Sequence, residues 1–178
     1  MKHFLRLFII IAVFILLNPD LPIYNGESYG NVLKNNTAYF TEKTELYIDK
    51  SPPSYQVYYY IKKYCKIYGV PEKYAFRVAK EETGWKGPML FKYNPYQSSC
   101  TNALGPMQVL LSTSKKVWCD NSITEDKLKT DIKFNIHTSI KYMRQLYDIY
   151  ENWQKVYSHY NTGYPNIVNE YVVYVMSK

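Results

Sequence analysis

Two adjacent carboxylates, Glu81 and Glu82, close an apolar stretch in "VAKEETGWKG", and Thr83 and Gly84 follow at once. Helical geometry separates them. At about 100° per residue, Glu82 falls in the middle of a face made by Tyr74, Ala75, Val78 and Ala79. Glu81 falls at the edge of that face, four residues after Arg77, where a surface ion pair is available. A carboxylate aimed into a core is costly unless it is partnered or protonated. Burial raises its pKa, so it can stay protonated near neutrality and give up a proton, which describes a general acid. A lone buried glutamate more often serves as a cap or an internal ion-pair partner.

Glycoside cleavage usually employs two carboxyls flanking the bond. The other candidates are Asp120, Glu125, Asp126 and Asp131, and all lie in a polar stretch that reads as solvated loop. None has an apolar setting comparable to that of Glu82. Metal chemistry is not expected: there are three histidines, one of them near the amino terminus, and no Cys-x-x-Cys spacing. No cofactor is expected either.

The elements that must position Glu82 read as helices. Tyr58, Ile61, Tyr64, Cys65 and Tyr68 follow the helical period from Ser54, and Gly69 ends that helix. Pro71 opens the next. Residues 86 to 101 form a long loop. Met107 and Gln108 lead into a helix, and Ser112 or Thr113 caps a short one to Trp118. Thr130 or Asp131 caps a longer helix with Ile132, Ile136, Ile140, Met143 and Tyr147 on its buried face. Asn152 caps "WQKVYSHYN", Gly163 stops it, and Pro165 starts a last helix through Tyr174. The expectation is an all-α bundle of about six helices.

The first 22 residues read as an export signal or signal anchor. Lys2, His3 and Arg6 precede an apolar run from Leu7 to Leu17, ended by Asn18 and Pro19. No clear small-x-small cleavage site follows. The segment is either a cleaved signal or an uncleaved anchor through residues 4–17, and both place the rest outside the cytoplasm. Residues 23–53 read as a linker with a short strand near Leu46, Tyr47 and Ile48. Residues 54–178 form the domain.

The net charge of +7 favours anionic partners, yet the lysines are dispersed and no basic helix or aromatic nucleic-acid motif occurs. Nucleic acid is not an expected partner. The 21 tyrosines suit both a core and a polar cleft with aromatic walls. Among three cysteines, Cys100 and Cys119 bracket one loop-rich segment and could form a disulfide in an oxidising compartment.

Four blocks stand in order: Glu82-Thr83-Gly84-Trp85, then "SCTNALGPMQ" from Ser99 to Gln108, then "NIHTSIKYM" from Asn135 to Met143, then "YSHYNTGYP" from Tyr157 to Pro165. Their order and spacing resemble the lytic transglycosylase domain of the lysozyme-like superfamily, over roughly residues 54 to 175. Departures are Thr83 where that family has Ser, Asn102 and Ser139 where it has Gly, Pro106 where it has Leu, and His159 where it has Ala.

The resemblance implies an all-α, lysozyme-like catalytic domain that acts on peptidoglycan. It implies that Glu82 is the catalytic acid and then base, without a second carboxyl. Ser99, Met107 and Gln108 would line the glycan site, with Gln108 bonding sugar substituents. Tyr160 would hydrogen-bond Glu82 or the substrate, Asn161 would shape that wall, and Tyr171 would add an aromatic surface. Residue-level alternatives stand beside these: Met107 as core, Asn161 as a helix-end residue, Tyr171 as packing, Ser99 as a plain loop residue. The implied activity is non-hydrolytic cleavage in the periplasm or cell envelope, during wall turnover or within secretion, conjugation or phage machinery. The alternatives are a muramidase that uses water and a non-catalytic glycan-binding scaffold.

Overall fold

Proline and glycine bound the first two helices. The structure, a computed structural model, describes residues 44–177. Helix α1, Pro53–Tyr68, starts with Pro at a position where no amide hydrogen is needed. It stops at Gly69, whose φ of 66° is left-handed and whose amide returns to the Cys65 carbonyl. Helix α2, Glu72–Thr83, follows with Pro71 as its cap, and Gly84 at φ 72° ends it. The apolar face expected of α2 is real: Ala75, Val78 and Ala79 are fully buried.

A small antiparallel ribbon comes next, β1 (Ala103–Leu104) against β2 (Val109–Leu110), with Ala103 opposite Leu110 and Leu104 opposite Val109. Then come α3 (Leu111–Trp118), α4 (Glu125–Thr130), α5 (Ile132–Tyr150), α6 (Trp153–Thr162) and α7 (Glu170–Met176). Helix α5 is the axis of the domain. It packs most extensively on α1 and also on α6, α4 and α3. Its Ile136, Ile140 and Met143 are fully buried with Val57, Tyr60 and Ile61 of α1 and Val156 and Tyr157 of α6. Burying one such aliphatic side chain contributes about 1.5–3 kcal/mol.

Caps written in side chains appear where the sequence put them. Asp131 accepts from the Phe134 amide at 2.8 Å and opens α5, and Asn152 accepts from the Lys155 amide at 3.2 Å and opens α6. Gly163, at φ 79°, closes α6.

Several expectations are corrected. Residues 44–49 are helical rather than a strand at Leu46–Ile48. Glu45 reaches Lys63 and Lys133, and Tyr60 bonds Asp49, so this turn is tied to α1 and α5. The compact unit runs from Glu45 and takes in the last part of the expected linker. The export segment and residues 23–43 lie outside the described residues.

Helix α3 starts at Leu111 without a side-chain cap, ahead of Ser112 and Thr113. The stretch holding Glu125 and Asp126 is the helix α4, capped by Thr124. Met107 and Gln108 form the ribbon's turn rather than a helix entry. The last helix starts after Asn169, whose side chain accepts from the Val172 amide at 3.1 Å, not at Pro165. Tyr147 is half-buried where full burial was expected.

The pairing considered for Cys100 and Cys119 is not made. Both are exposed free thiols, and Cys119, the left-handed cap of α3, turns its sulfur back toward the Lys116 carbonyl. Among the described residues no helix is long and apolar enough to cross a membrane.

Candidate active site

Glu82 sits in the last turn of α2, half-buried, as the helical wheel requires. Glu81 beside it is exposed. The Tyr171 hydroxyl donates to Glu82 Oε1 at 2.8 Å. Helix α7 is held for this contact by its packing on α2, and Arg77 of α2 donates to the Val175 and Ser177 carbonyls. Tyr171, expected as an aromatic surface, is therefore the carboxyl's hydrogen-bond partner.

Burial pushes the Glu82 carboxyl up to about 7, the Tyr171 hydrogen bond opposes this, and the neighbouring Glu81 charge adds to it. The group is thus divided between acid and carboxylate near neutral pH. Tyr160 and Tyr171 are both raised above the ordinary phenol value, first by burial and then by the Glu82 charge. Neither hydroxyl ionises near neutrality; both act as hydrogen-bonding groups.

Tyr160 makes other bonds than the one expected. Its hydroxyl donates to the Met107 carbonyl at 2.7 Å and lies 2.8 Å from Ser139 Oγ. Met107 contributes that carbonyl, while its side chain is fully buried core and does not line the site. This corrects its expected glycan contact.

Gln108 has φ 49°, a left-handed conformation unusual for a residue with a Cβ. Its side-chain nitrogen donates to the Gly105 and Gln97 carbonyls at 2.9 and 3.2 Å. Both amide hydrogens are thereby used, and Oε1 is the atom left to accept from a ligand.

A groove of about 310 Å³ runs beside these groups. It is lined by Gln108, Val109 and Leu110 from the ribbon, Tyr142 from α5, and His159, Tyr160 and Asn161 from α6. Glu82 is not in its lining, and Tyr160 stands in the groove wall within electrostatic reach of the carboxyl. Asn161 lines the groove as expected, with Oδ1 accepting from Asn169 at 2.8 Å. Ser99 is not in that lining. Its hydroxyl accepts from the Ala103 amide at 3.0 Å and meets Thr101 at 2.9 Å, so it shapes the turn that carries Thr101 to the groove. His159 is a groove residue whose Nδ1 is 2.8 Å from the Tyr150 hydroxyl; burial lowers its pKa and keeps the ring neutral.

Two supports were not anticipated. Thr83 Oγ1 lies within 3.1 Å of the Ala79 carbonyl, 2.9 Å of the Pro106 carbonyl and 2.6 Å of the Tyr93 hydroxyl. The end of α2 is thus pinned to the ribbon turn. Asn135, fully buried on α5, donates to the Leu104 and Leu128 carbonyls at 2.8 and 2.9 Å and accepts from the Met107 amide at 3.1 Å. Gly105 must be glycine here: at φ 72°, an added Cβ would come within 2.4 Å of Asn135 Nδ2. An asparagine between Ile132 and Ile136 on a buried face was the available signal, since a buried amide demands partners.

The four other candidate acids have local duties. Asp120 accepts from the Ser122 amide and hydroxyl, Glu125 and Asp126 occupy the first turn of α4, and Asp131 caps α5. All four are exposed. Among the described residues, no three His, Cys, Asp or Glu side chains gather to hold a metal ion.

The fold and site define a small helical domain that presents the half-buried acid Glu82 near a groove walled in part by Tyr142 and Tyr160. Residues 59–177 match the family model of the transglycosylase SLT domain. The chain belongs to that family, whose members are lytic transglycosylases acting on peptidoglycan, and its helical architecture is that of the lysozyme-like domain. No curated protein matches the chain.

Proposed function

We propose that the chain is a lytic transglycosylase that cleaves the bond between N-acetylmuramic acid and N-acetylglucosamine without consuming water. One observation carries the reading: Glu82 is a half-buried carboxyl poised near neutrality, while the other candidate acids are exposed and occupied as caps and turns. A hydrolase would need a second group to activate water. A transglycosylase needs none, because the substrate supplies its own nucleophile.

The chemistry follows from the protonation state. Protonated Glu82 gives its proton to the glycosidic oxygen as the bond to the anomeric carbon breaks. The resulting carboxylate, steadied by Tyr171, takes the proton of the muramyl 6-hydroxyl as that oxygen closes on the anomeric carbon. A 1,6-anhydro ring forms and the glutamic acid is restored. Gln108 Oε1 and Asn161 would bind sugar substituents along the groove, with the Tyr160 and Tyr142 rings as its aromatic wall.

The basic start and apolar run of the amino terminus support export to the periplasm or envelope, with residues 4–17 as a signal or an anchor. Wall turnover, a secretion or conjugation machine, or phage entry and exit would each employ this activity. Purified wall incubated with the wild type should release soluble muropeptides, and Glu82→Gln should release none above background. Equal release by the variant would remove Glu82 from the reaction. Binding without release by the wild type would favour the scaffold alternative.

A further inference from the structure

The groove of about 310 Å³ is lined without a lysine, arginine, aspartate or glutamate. It therefore suits a neutral polar group rather than an ion. Gln108 offers Oε1 as an acceptor, since its amide hydrogens go to the Gly105 and Gln97 carbonyls. Val109 and Leu110 supply apolar surface beside it. His159, standing where the family pattern has alanine, supplies a matching donor. Its Nδ1 is 2.8 Å from the hydroxyl of Tyr150, a residue outside the groove lining. The opposite edge of the ring, with Nε2, is the part left to the groove. Burial keeps the ring neutral, so it carries one ring hydrogen. A phenol gives up its hydrogen far more readily than a neutral imidazole does. Tyr150 therefore donates to Nδ1, and the ring hydrogen sits on Nε2. Nε2 makes no hydrogen bond among the described residues.

We infer that His159 is a substrate-binding residue: its Nε2–H donates to the carbonyl of a sugar acetamido group whose own N–H is accepted by Gln108 Oε1. It rests on the groove being the glycan site proposed above. An acetamido group matches this lining in kind: it is neutral, with one donor, one acceptor and a methyl for Val109 and Leu110. Asn161 also keeps its amide hydrogens, because its Oδ1 is taken by Asn169. It is exposed, however, so binding there exchanges one hydration bond for another. His159 is half-buried and fixed by Tyr150, and a donor already held in place loses less freedom on binding.

Two measurements on the full chain test this. The nitrogen-15 spectrum of His159 near neutral pH, without ligand, distinguishes the two neutral tautomers. Hydrogen on Nε2 is expected; hydrogen on Nδ1 would overturn the inference. The second is titration with tri-N-acetylchitotriose and with the same trimer fully N-deacetylated. The wild type should prefer the acetylated trimer. His159→Phe keeps a ring without a donor and should weaken its binding about tenfold, with little effect on the deacetylated one. His159→Gln keeps a donor and should retain most of the wild-type affinity. A Phe variant that binds the acetylated trimer as the wild type does would overturn the inference. Equal losses on both trimers would do the same, marking the ring as packing. A wild type that releases muropeptides but ignores chitotriose would sink the inference and leave the proposed function standing. Chitotriose binding with the expected dependence on His159, but no release from wall, would sink the proposed activity alone.

Discussion

At the scale of single residues, Glu82 sets both activity and pH dependence. Its carboxyl ionises near 7 in the folded chain, against an ordinary value of 4.5. Protonation therefore favours the folded state. The stabilisation is fully present below about pH 4.5 and is lost as pH rises through 7. Glu82→Gln cannot ionise, so it should melt with the wild type at pH 4.5 and above it at pH 8, by roughly 2–3 kcal/mol. Thermal melts at the two pH values check this, and a gap of the opposite sign would mean that Glu82 is not desolvated. Tyr171→Phe removes the one bond that lowers the Glu82 pKa. The falling limb of activity should move to higher pH, while kcat drops about tenfold for want of a fixed carboxylate. The Tyr171 prediction was not available from sequence, because Tyr171 and Glu82 stand 89 positions apart and meet only through the docking of α7 on α2.

At the scale of elements, the ribbon turn between β1 and β2 ties the acid to the groove. Thr83 holds the end of α2 to the Pro106 carbonyl, Tyr160 holds α6 to the Met107 carbonyl, and Asn135 holds α5 to both sides of the turn. Gly105→Ala combines a left-handed φ with a clash against Asn135, so it should destabilise the domain by roughly 2–4 kcal/mol in urea unfolding. Asn135→Ala removes three buried hydrogen bonds, to the Leu104 and Leu128 carbonyls and from the Met107 amide, and should have an effect of similar size. A variant within about 0.5 kcal/mol of the wild type would show that the turn does not depend on this clamp.

These elements also show what a sequence can declare. Gly69, Asp131, Asn152 and Gly163 end or begin helices through local chemistry, and their positions were legible. The face bearing Glu82 followed from period alone. Helix α3 was misjudged at its start because Leu110 caps it without any side-chain bond. Helix α4 carries one buried residue, Leu128, too little pattern to announce a helix despite Thr124 and two acids at its start. The ribbon was invisible because its turn depends on Gln108 adopting a left-handed φ, which tertiary bonds impose.

At the scale of the molecule, the charge of +7 and the dispersed lysines suit loose attraction to a carboxylate-rich wall rather than a tight ionic site. Such attraction is screened within about 8–10 Å at physiological salt. Sedimentation with purified wall should therefore weaken steadily as salt rises from about 0.05 to 0.5 M, whereas the Glu82 midpoint, set mainly by burial, should barely move. Retention on wall that ignores salt would assign binding to the groove alone. The central claim, an acid working without a second carboxyl or water, is tested most directly by the masses of muropeptides released from purified wall. The account predicts products ending in 1,6-anhydro-N-acetylmuramic acid, lighter by one water than reducing-end products. Reducing-end masses alone would contradict it and make the enzyme a hydrolase.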